Sequence, residues 1–380
     1  MDKRNAKRTI PVCQPFLDGD ELSYVTEALN TGWISSSGEY VTAFEEKFAE
    51  YCAVRYGVAV CNGTVAIHLA LVAVGIGPGD EVIIPDFTMI ATAVAVIYTG
   101  AKPVFVDADA STWNIDISKI EAAITSRTKA IMPVSLFGNP CDMDHIHTIA
   151  RQHGLKVIED AAESHGAEYK GKKVGSLADV TAFSFFANKI LTTGEGGMVV
   201  TDNKELADRC RYFKNLCFPL SGPRNYIHED VGFNYRISNL HAAIGLAQVE
   251  KADAYRAMRI RNAAFYRECL KDMPEINFSK DMADSLNVHW MNAITIDPGK
   301  SGRGRDLLME HLKSQGVETR LLFVGMHHQP CLRKAGCDCQ GDYPVTDYLT
   351  ANGLYLPSGS NLSEADIQYV CEKIREVVRA

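Results

Sequence analysis

Short apolar runs alternate with helix-like patterns between about residues 55 and 200. The runs have the length of buried strands and lie at residues 58–60, 81–85, 103–107, 130–134 and 156–158. A further run at 197–201 follows a glycine-rich turn, which is typical of a strand that returns as a hairpin. Strands that alternate with helices predict a mostly parallel sheet with helices on both faces.

The pattern changes near residue 250. Residues 238–267 have apolar positions at helical spacing and predict a long helix, whereas residues 288–296 predict a strand. Two amphipathic helices are predicted near 303–315 and 363–379. This last part of the chain therefore predicts a small domain of mixed helices and strands.

The change in pattern indicates two domains, a large one over residues 10–250 and a small one over 251–380. The chain has 380 residues, of which 46% are hydrophobic, and this is enough for a large core and a smaller one. We therefore expect an α/β protein with a small C-terminal α+β domain.

Charge and hydropathy argue against nucleic-acid and membrane partners, and the cysteine content indicates the redox state of the protein. The formal net charge is −8, with acidic and basic residues interspersed, and no basic block favours nucleic acid or an anionic membrane surface. No apolar stretch is long enough to span a bilayer. Eleven cysteines, an odd number scattered over a large chain, indicate reduced thiols and a cytoplasmic protein.

A metal site is one possibility for the cysteines near the C-terminus. Cys331, Cys337 and Cys339 follow His327 and His328 closely in the sequence. Thiol and imidazole groups bind zinc, but this spacing fits no common zinc pattern. We interpret these cysteines as free thiols in a polar loop and expect no metal.

Lys189 ends an aromatic run at residues 183–188 and precedes a glycine-rich turn at 192–198. This pattern predicts an amine at the rim of a buried sheet, where the backbone can approach a ligand closely. An amine in such a place can have a lowered pKa and attack a carbonyl. A lysine that merely ends a strand, with its ammonium in water, is an equally good interpretation of this stretch alone.

Asp160 stands at the C-terminal end of another apolar run. Ligands of open α/β sheets bind outside the carboxyl ends of the strands. A lysine paired with an aspartate there is what pyridoxal phosphate requires, because the lysine forms the Schiff base and the aspartate keeps the pyridine nitrogen protonated. Asp160 could equally be the N-cap of a following helix.

A phosphate site is predicted where residues 58–60 lead into Asn62, Gly63 and Thr64 and then into an apolar helix at 65–74. A helix N-terminus approached through glycine offers free N–H groups and a favourable dipole to an anion. Ser184 could add a hydroxyl group. The alternative is an ordinary strand–turn–helix connection capped by Asn62 or Thr64.

With lysine, acid and phosphate site in one order, the chain resembles the sugar-nucleotide aminotransferases of the DegT/DnrJ/StrS group. These are fold-type I, aspartate-aminotransferase-like enzymes that use pyridoxal phosphate. The resemblance implies a large domain on a mostly parallel mixed sheet and a small C-terminal α+β domain. It covers nearly the whole chain through motifs at residues 32–38, 44–45, 62–64, 77–82, 159–163, 183–198, 232–236, 326–327 and 356–358.

Within this group the chain is most similar to the GDP-perosamine synthase type. Glu163, where many relatives carry glutamine, and the Asn188-Lys189 pair carry this similarity. Met89 departs from the pattern, because it occupies the position that stacks on the cofactor ring and is usually aromatic. A thioether can also pack against a pyridine face, so Met89 is still expected to bind the cofactor.

The resemblance implies a role for each residue that matches a family motif. Lys189 is implied as the Schiff-base lysine and proton carrier, Asp160 as the partner of the pyridinium nitrogen, and Glu163 as a neighbour of the ring. The residues implied to hold the phosphate are Gly63, Thr64 and Ser184.

Further residues are implied in the dimer and in substrate binding. Asn234 would reach the phosphate of the partner subunit's cofactor, which implies a homodimer with shared active sites. Arg236 would bind the carboxylate of the amino donor, because a guanidinium suits a planar carboxylate. Trp33, Ser35 and His327 would line the sugar-nucleotide pocket. An interface or core role remains open for Arg236 and His327.

The implied reaction moves an amino group from glutamate to C4 of a GDP-linked 4-keto-6-deoxy sugar, with pyridoxamine phosphate as the intermediate form of the cofactor. The implied pathway supplies amino sugars for a surface polysaccharide such as O-antigen. One alternative is an aminotransferase for a UDP- or dTDP-linked keto sugar. Another is a non-catalytic regulator that binds the cofactor or a sugar nucleotide. A sugar dehydratase is disfavoured, because that branch carries histidine in place of Lys189.

Overall fold

The computed structural model describes residues 8–222 and 226–378. The strands are β1 (Tyr56–Val60), β2 (Glu81–Pro85), β3 (Lys102–Val106), β4 (Thr128–Ile131), β5 (Lys156–Asp160), β6 (Glu168–Tyr169), β7 (Lys172–Lys173), β8 (Val180–Ser184), β9 (Gly197–Thr201), β10 (Ile276–Phe278), β11 (Ser285–Leu286), β12 (Asn292–Ile296), β13 (Arg320–Leu321) and β14 (Gly353–Leu356).

The helices alternate with these strands in the first half of the chain and dominate the second. They are α1 (Glu21–Thr31), α2 (Glu39–Tyr51), α3 (Gly63–Val74), α4 (Ile90–Tyr98), α5 (Met143–His153), α6 (Lys204–Lys214), α7 (Asn239–Glu250), α8 (Ala252–Leu270), α9 (Pro298–Ser301), α10 (Arg305–Ser314), α11 (Pro330–Lys334), α12 (Pro344–Asn352) and α13 (Glu364–Val378). None of the helices within the described residues is long and apolar enough to cross a membrane.

A seven-stranded sheet in the order β1-β9-β8-β5-β4-β2-β3 forms the centre of the first half of the chain. The pairs from β8 to β3 are parallel, whereas β9 runs antiparallel to β1 and β8. Successive side chains of a strand face opposite sides, so Ile83 packs into one core and Val82 and Ile84 into the other. Both sides of the sheet are therefore covered, as the continuous apolar runs predict.

A four-stranded antiparallel sheet in the order β10-β12-β14-β13 packs against helices in the second half of the chain. Its core includes apolar residues from α8, α10 and α13. A small three-stranded sheet, β11-β6-β7, joins the two halves. The division of the chain into domains at residue 250 stays a prediction.

Two predicted elements differ in the structure. The helix predicted at 238–267 is two helices, because Lys251 leaves the helical conformation with φ −103° and ψ 5°. α7 then packs against α1 and α2, and α8 against α13. The strand predicted at 288–296 begins only at Asn292, since the residues before it make backbone hydrogen bonds to Phe137 and Gly138 instead.

Candidate active site

Lys189 lies in the connection between β8 and β9, at the carboxyl end of β8. The connection folds back on itself, because the N–H of Thr193 donates to the carbonyl of Phe185 at 2.9 Å. Gly194 has φ +80°, a conformation that favours glycine. The glycine-rich sequence thus forms a tight return that points the preceding residues toward the end of the sheet.

The amine of Lys189 is buried between a carboxylate and an aromatic ring. Its Nζ lies 3.9 Å from Oε1 of Glu163 and 3.9 Å from the ring centre of Trp290. Only 11% of the side chain is exposed. Burial lowers the pKa of Lys189, while Glu163 and Asp160 raise it. The interpretation of Lys189 as a strand-ending lysine with its ammonium in water is therefore wrong.

Asp160 ends β5 and is 4% exposed. Its Oδ2 accepts a hydrogen bond from the hydroxyl of Thr92 at 2.7 Å, and its Oδ1 accepts from the N–H of Ala162 at 3.1 Å. Burial raises the pKa of Asp160, while these hydrogen bonds and Lys189 lower it. A turn follows rather than a helix, so the helix N-cap interpretation is wrong.

Glu163 is a second buried carboxyl beside the amine. Its Oε2 accepts a hydrogen bond from the N–H of Phe137 at 2.7 Å. Burial raises the pKa of Glu163 to about 7, against the opposing effects of Lys189 and of the Phe137 N–H. Glu163 can therefore gain or lose a proton near neutral pH.

The predicted phosphate site lies at the N-terminus of α3, next to the end of β8. Asn62 caps the helix, since its Oδ1 accepts from the N–H of Val65 at 3.0 Å. The first N–H groups of a helix have no partner within the helix, and here they belong to Gly63 and Thr64. A Cβ at Gly63 would lie 2.6 Å from the Cβ of Ser184. This close approach brings the helix N-terminus and the Ser184 hydroxyl together, so the capping and anion-binding interpretations are compatible.

Sequence reasoning missed His165, which is 1% exposed. Neither ring nitrogen has a hydrogen-bond partner in the structure. Burial, together with the charge of Lys189, lowers the pKa of His165 to about 3, so the ring is neutral. Its place two residues after Glu163 in one motif was an available signal. Trp290 was also missed, because it lies in a run that predicted an ordinary strand.

Met89 lies just before α4, beyond the carboxyl end of β2. Its side chain is 47% exposed, and its sulfur accepts a hydrogen bond from the N–H of Ala91 at 3.0 Å. The thioether is thus held by its own helix N-terminus. Its contact with a cofactor ring stays a prediction.

The residues predicted for the dimer and the substrate make contacts of their own. Arg236 donates from Nε to Oδ1 of Asn234 at 2.9 Å, and Asn234 is exposed. The backbone of Arg236 forms a bridge with Val60, just before the phosphate site. Trp33 is 59% exposed, and the carbonyl of Ser35 accepts from the N–H of Asn239 at 2.5 Å. Within the described residues, none of these predicted residues makes a hydrogen bond or an ion pair with Lys189.

His327 lies at the carboxyl end of β2, where it is 7% exposed. Its Nδ1 lies 2.6 Å from Oδ2 of Asp86, and its Nε2 lies 3.1 Å from Oδ1 of Asp347. The ring stacks on Tyr343 at 4.6 Å between centres. Both ring nitrogens of His327 therefore face carboxylates, and Asp86 attaches residues 326–328 to the end of β2 while Asp347 attaches them to α12.

Metal ligation was not predicted, yet possible ligands do meet near His327. The side chains of His327, His328 and Asp347 bring three ligand atoms within 4.8 Å of one another. The absence of a bound metal stays a prediction. All eleven cysteines lie in the described residues and none is in a disulfide.

Comparison with known proteins gives one consistent similarity. The sequence profile of the DegT/DnrJ/EryC1/StrS aminotransferase family matches residues 15–375. A protein named GDP-perosamine synthase from Escherichia coli O157:H7 is 45% identical over 367 residues, which are 97% of this chain and 98% of that protein. A protein of the same name from Caulobacter vibrioides is 46% identical over 370 residues, with the same coverage.

A solved structure agrees with these relatives. The crystal structure of DesI, described as in the presence of its TDP-sugar product, superposes with a TM-score of 0.89 and 36% sequence identity. The match covers 98% of this chain and 94% of that one. The fold class and the family resemblance predicted from the sequence are confirmed.

Proposed function

We propose that this chain, which belongs to the DegT/DnrJ/EryC1/StrS aminotransferase family, moves an amino group from glutamate to C4 of a GDP-linked 4-keto-6-deoxy sugar. The chain is a sugar-nucleotide aminotransferase, and the relatives named GDP-perosamine synthase support the GDP-linked sugar. One structural observation carries the proposal. The buried amine of Lys189 lies at the end of the sheet beside two buried carboxyls and near a helix N-terminus.

Pyridoxal phosphate fits the residues present. A Cβ at Gly63 would lie 2.6 Å from the Cβ of Ser184, so only glycine lets the start of α3 come this close to Ser184 and present its N–H groups beside the Ser184 hydroxyl to one anion. Burial raises the pKa of Asp160 although two hydrogen bonds and the charge of Lys189 stabilise its anion, so a second cation facing this carboxylate would keep it ionised. A protonated ring nitrogen would supply that cation. Gly63, Thr64 and Ser184 would hold the phosphate, with Met89 and Glu163 near the ring.

When bound, pyridoxal phosphate supplies an aldehyde that accepts an amino group and a ring that takes up electrons from the adjacent carbon. The chain supplies the proton transfers. Burial lowers the pKa of Lys189, so a larger part of the amine is neutral and can act as nucleophile and base. Glu163, whose pKa is about 7 and whose Oε1 lies 3.9 Å from Nζ, stabilises the ammonium form once Lys189 has taken a proton.

Two polar groups orient the carboxylate of Asp160. The Thr92 hydroxyl and the Ala162 N–H each donate to one oxygen. They keep Asp160 from rotating and disfavour its protonation. The carboxylate then stays ionised and in place while Lys189 changes its own charge.

Substrate binding follows the residues that the family resemblance implies. Arg236 would bind the carboxylate of glutamate, and Trp33 and Ser35 would contact the sugar nucleotide. His327 acts less directly, since both of its ring nitrogens face Asp86 and Asp347. We expect it to hold residues 326–328 in place at the edge of the pocket.

A homodimer with shared active sites is part of the proposal. Asn234 is exposed in the single chain, and a second subunit would bring it to the phosphate of the other active site. Exposed apolar side chains are available for the contact, among them Trp33, Ile34 and Phe186. The product would feed a surface polysaccharide such as O-antigen, and the cytoplasmic location stays a prediction supported by the free thiols.

The test is turnover with defined substrates. The purified chain is loaded with pyridoxal phosphate and given glutamate with a GDP-, UDP- or dTDP-linked 4-keto-6-deoxy sugar. Mass spectrometry and NMR identify the amino sugar and the aminated carbon, and a coupled assay measures 2-oxoglutarate. We expect amination at C4 with the GDP-linked sugar at a kcat/KM about tenfold or more above the others.

Lys189→Ala is the control, and it should abolish turnover without unfolding the chain. Preference for a UDP- or dTDP-linked sugar would favour an aminotransferase for that nucleotide instead. The similarity to the structure of DesI, described with a TDP-sugar product, is the reason for testing it. No amino sugar from any nucleotide, with the cofactor bound, would favour a non-catalytic regulator. A fully active Lys189→Ala variant would contradict the proposal itself.

A further inference from the structure

The indole of Trp290, in the segment just before β12, covers the amine of Lys189. Nζ lies 3.9 Å from the ring centre, and Trp290 is 4% exposed. The indole N–H donates to the carbonyl of Asn188 at 2.8 Å. The ring is therefore fixed to the backbone of the residue that precedes Lys189, so it keeps one position relative to the backbone that carries the amine.

The backbone of Trp290 is fixed by a crossing of two chain segments. Its N–H donates to the carbonyl of Phe137 at 2.8 Å, and the N–H of Phe137 donates to Oε2 of Glu163 at 2.7 Å. Phe137 therefore links the indole and the carboxylate that face the same amine. A small shift of either segment would move both groups.

This crossing contains left-handed backbone at residues other than glycine. Phe137 has φ +55° and His289 has φ +49°, and Gly138 between the segments is so tightly packed that a Cβ would lie 2.9 Å from the N of His289. Such conformations cost free energy and persist where surrounding contacts impose them. The geometry around Trp290 is thus maintained against local preference.

A buried guanidinium provides a third attachment. Arg259 in α8 is 2% exposed, and its Nη1 donates to the carbonyl of Trp290 at 3.1 Å and also to the carbonyl of Ser358. Its Nε donates to Oγ of Ser360 at 2.9 Å. Side chain and backbone of Trp290 are accordingly held from three directions, since each of its polar groups has a partner.

We infer that Trp290 is a positioning residue for Lys189, whose ring face holds the ammonium form of the amine beside Glu163 while the amine carries a proton. The inference rests on the proposed function, and it assigns the residue that keeps the lysine in reach during each proton transfer. The negative face of an aromatic ring attracts an ammonium far more than a neutral amine. The Trp290 ring thus stabilises the ammonium form of Lys189 after the lysine has taken up a proton. It holds the neutral amine only weakly once the lysine has given that proton up.

Other ionisable groups also lie around this amine, and the test must leave them unchanged. Glu163, Asp160 and Cys13 raise the pKa of Lys189, and the charge of Lys189 lowers the pKa of the neutral His165 ring. Arg259 of α8 contacts this set through Cys13, whose Sγ accepts a hydrogen bond from its Nη2. Changes at Trp290 retain all of them, so a difference between matched variants reports the ring.

The first experiment measures the amine without any turnover. The full-length chain is freed of cofactor, and labelling of Lys189 by a small acylating reagent is followed against pH by peptide mass spectrometry. Trp290→Leu removes the ring face, whereas Trp290→Phe keeps a smaller aromatic ring and loses the indole N–H. We expect the midpoint of labelling to fall in the leucine variant and to stay close to wild type in the phenylalanine variant.

At a fixed pH below the midpoint, labelling of the leucine variant should be about thirtyfold faster, as the usual strength of a buried cation–π contact implies. An unchanged or higher midpoint in Trp290→Leu would overturn the inference. So would equal falls in both variants, because they would assign the effect to packing or to the Asn188 contact.

A second experiment changes the ring electronically while keeping its shape. Tryptophan analogues with one, two or three fluorine atoms on the ring progressively weaken its negative face. Only three tryptophans occur in the chain, and Trp290→Phe grown with the same analogues is the control for the other two. A stepwise fall of the midpoint that is absent in the control supports the inference, and a midpoint independent of fluorination overturns it.

Failure of this inference is distinguishable from failure of the proposed function. The labelling midpoint needs neither sugar nor glutamate, so it decides the role of Trp290 even in a chain that transfers no amino group. In an active enzyme, Trp290→Leu should lower kcat with little change in the KM for glutamate, and Trp290→Phe should recover most of the loss. A loss confined to KM would contradict a role in holding the amine.

Discussion

Replacing Glu163 by glutamine should shift the pH dependence of turnover. The substitution removes one negative charge and keeps the size of the side chain and an oxygen for the N–H of Phe137. The carboxyl lies 3.9 Å from the amine of Lys189, and the two side chains are 5% and 11% exposed. Water therefore screens this pair much less than a surface ion pair.

The magnitude follows from this distance. Two unit charges 3.9 Å apart attract by about 4 kcal/mol at an effective dielectric constant of 20. Glu163 has a pKa of about 7 and is only partly ionised near neutrality, which reduces the effect to about 2 kcal/mol. At a fixed pH below the pKa of Lys189, the glutamine variant should hold roughly thirtyfold more neutral amine.

The direction follows from the causes of the shift. Burial lowers the pKa of Lys189, and the charge of Glu163 raises it. Removal of that charge lowers the pKa further, so the amine becomes a base at lower pH. The acid limb of kcat against pH should therefore move to lower pH in Glu163→Gln.

Glu159→Gln is a matched control. Glu159 is 0% exposed, and burial raises its pKa to about 7 as well, but its carboxyl accepts a hydrogen bond from Ser135 rather than facing Lys189. Kinetics of both variants are measured from pH 5 to 9 with saturating glutamate. An acid limb that stays in place in Glu163→Gln, or moves equally in both variants, would refute the electrostatic reasoning.

The free energy of unfolding gives a second test of the buried carboxyls of Glu163 and Glu159. A carboxyl whose pKa is about 7 in the folded chain and 4.5 ordinarily binds more protons when folded, so it destabilises the fold as pH rises through that interval. Both glutamine variants should therefore be more stable than the wild type at pH 8, by up to about 3 kcal/mol each, with the gain lost near pH 5. Denaturant unfolding of the cofactor-free chain at the two pH values checks this.

Further predictions concern the phosphate site and the dimer. Gly63→Ala should weaken cofactor binding about tenfold or more, because its Cβ would lie 2.6 Å from the Cβ of Ser184. Gly77→Ala, which has open space around the new atom, is the control. Equal affinities of the two variants, measured by cofactor titration, would contradict the phosphate assignment. Asn234→Ala mixed with Lys189→Ala should regain about a quarter of wild-type activity, because half of the dimers are mixed and each restores one site. No recovery after verified subunit exchange would argue against shared sites.

Local patterns in the sequence determined the sheet and the order of its chemical groups. The strands predicted at 81–85 and 197–201 have those bounds in the structure, because buried strands are short continuous apolar runs bounded by turn residues. The helix N-terminus at Gly63 was also predictable from a local pattern, because a cap and a turn are encoded by adjacent residues. The family resemblance added roles for individual residues, and the comparisons confirmed the family.

Tertiary structure alone decided what surrounds the amine. The run at 288–296 was predicted as one strand, yet residues before Asn292 bond to Phe137 and Gly138, about 150 residues earlier. This long-range contact places Trp290 on Lys189, and no local pattern encodes it. The pKa of about 7 for Glu163 is likewise a property of burial, which depends on packing from distant parts of the chain. Sequence determines which groups are present in what order, whereas folding determines their depth and their neighbours, and depth and neighbours set their charge.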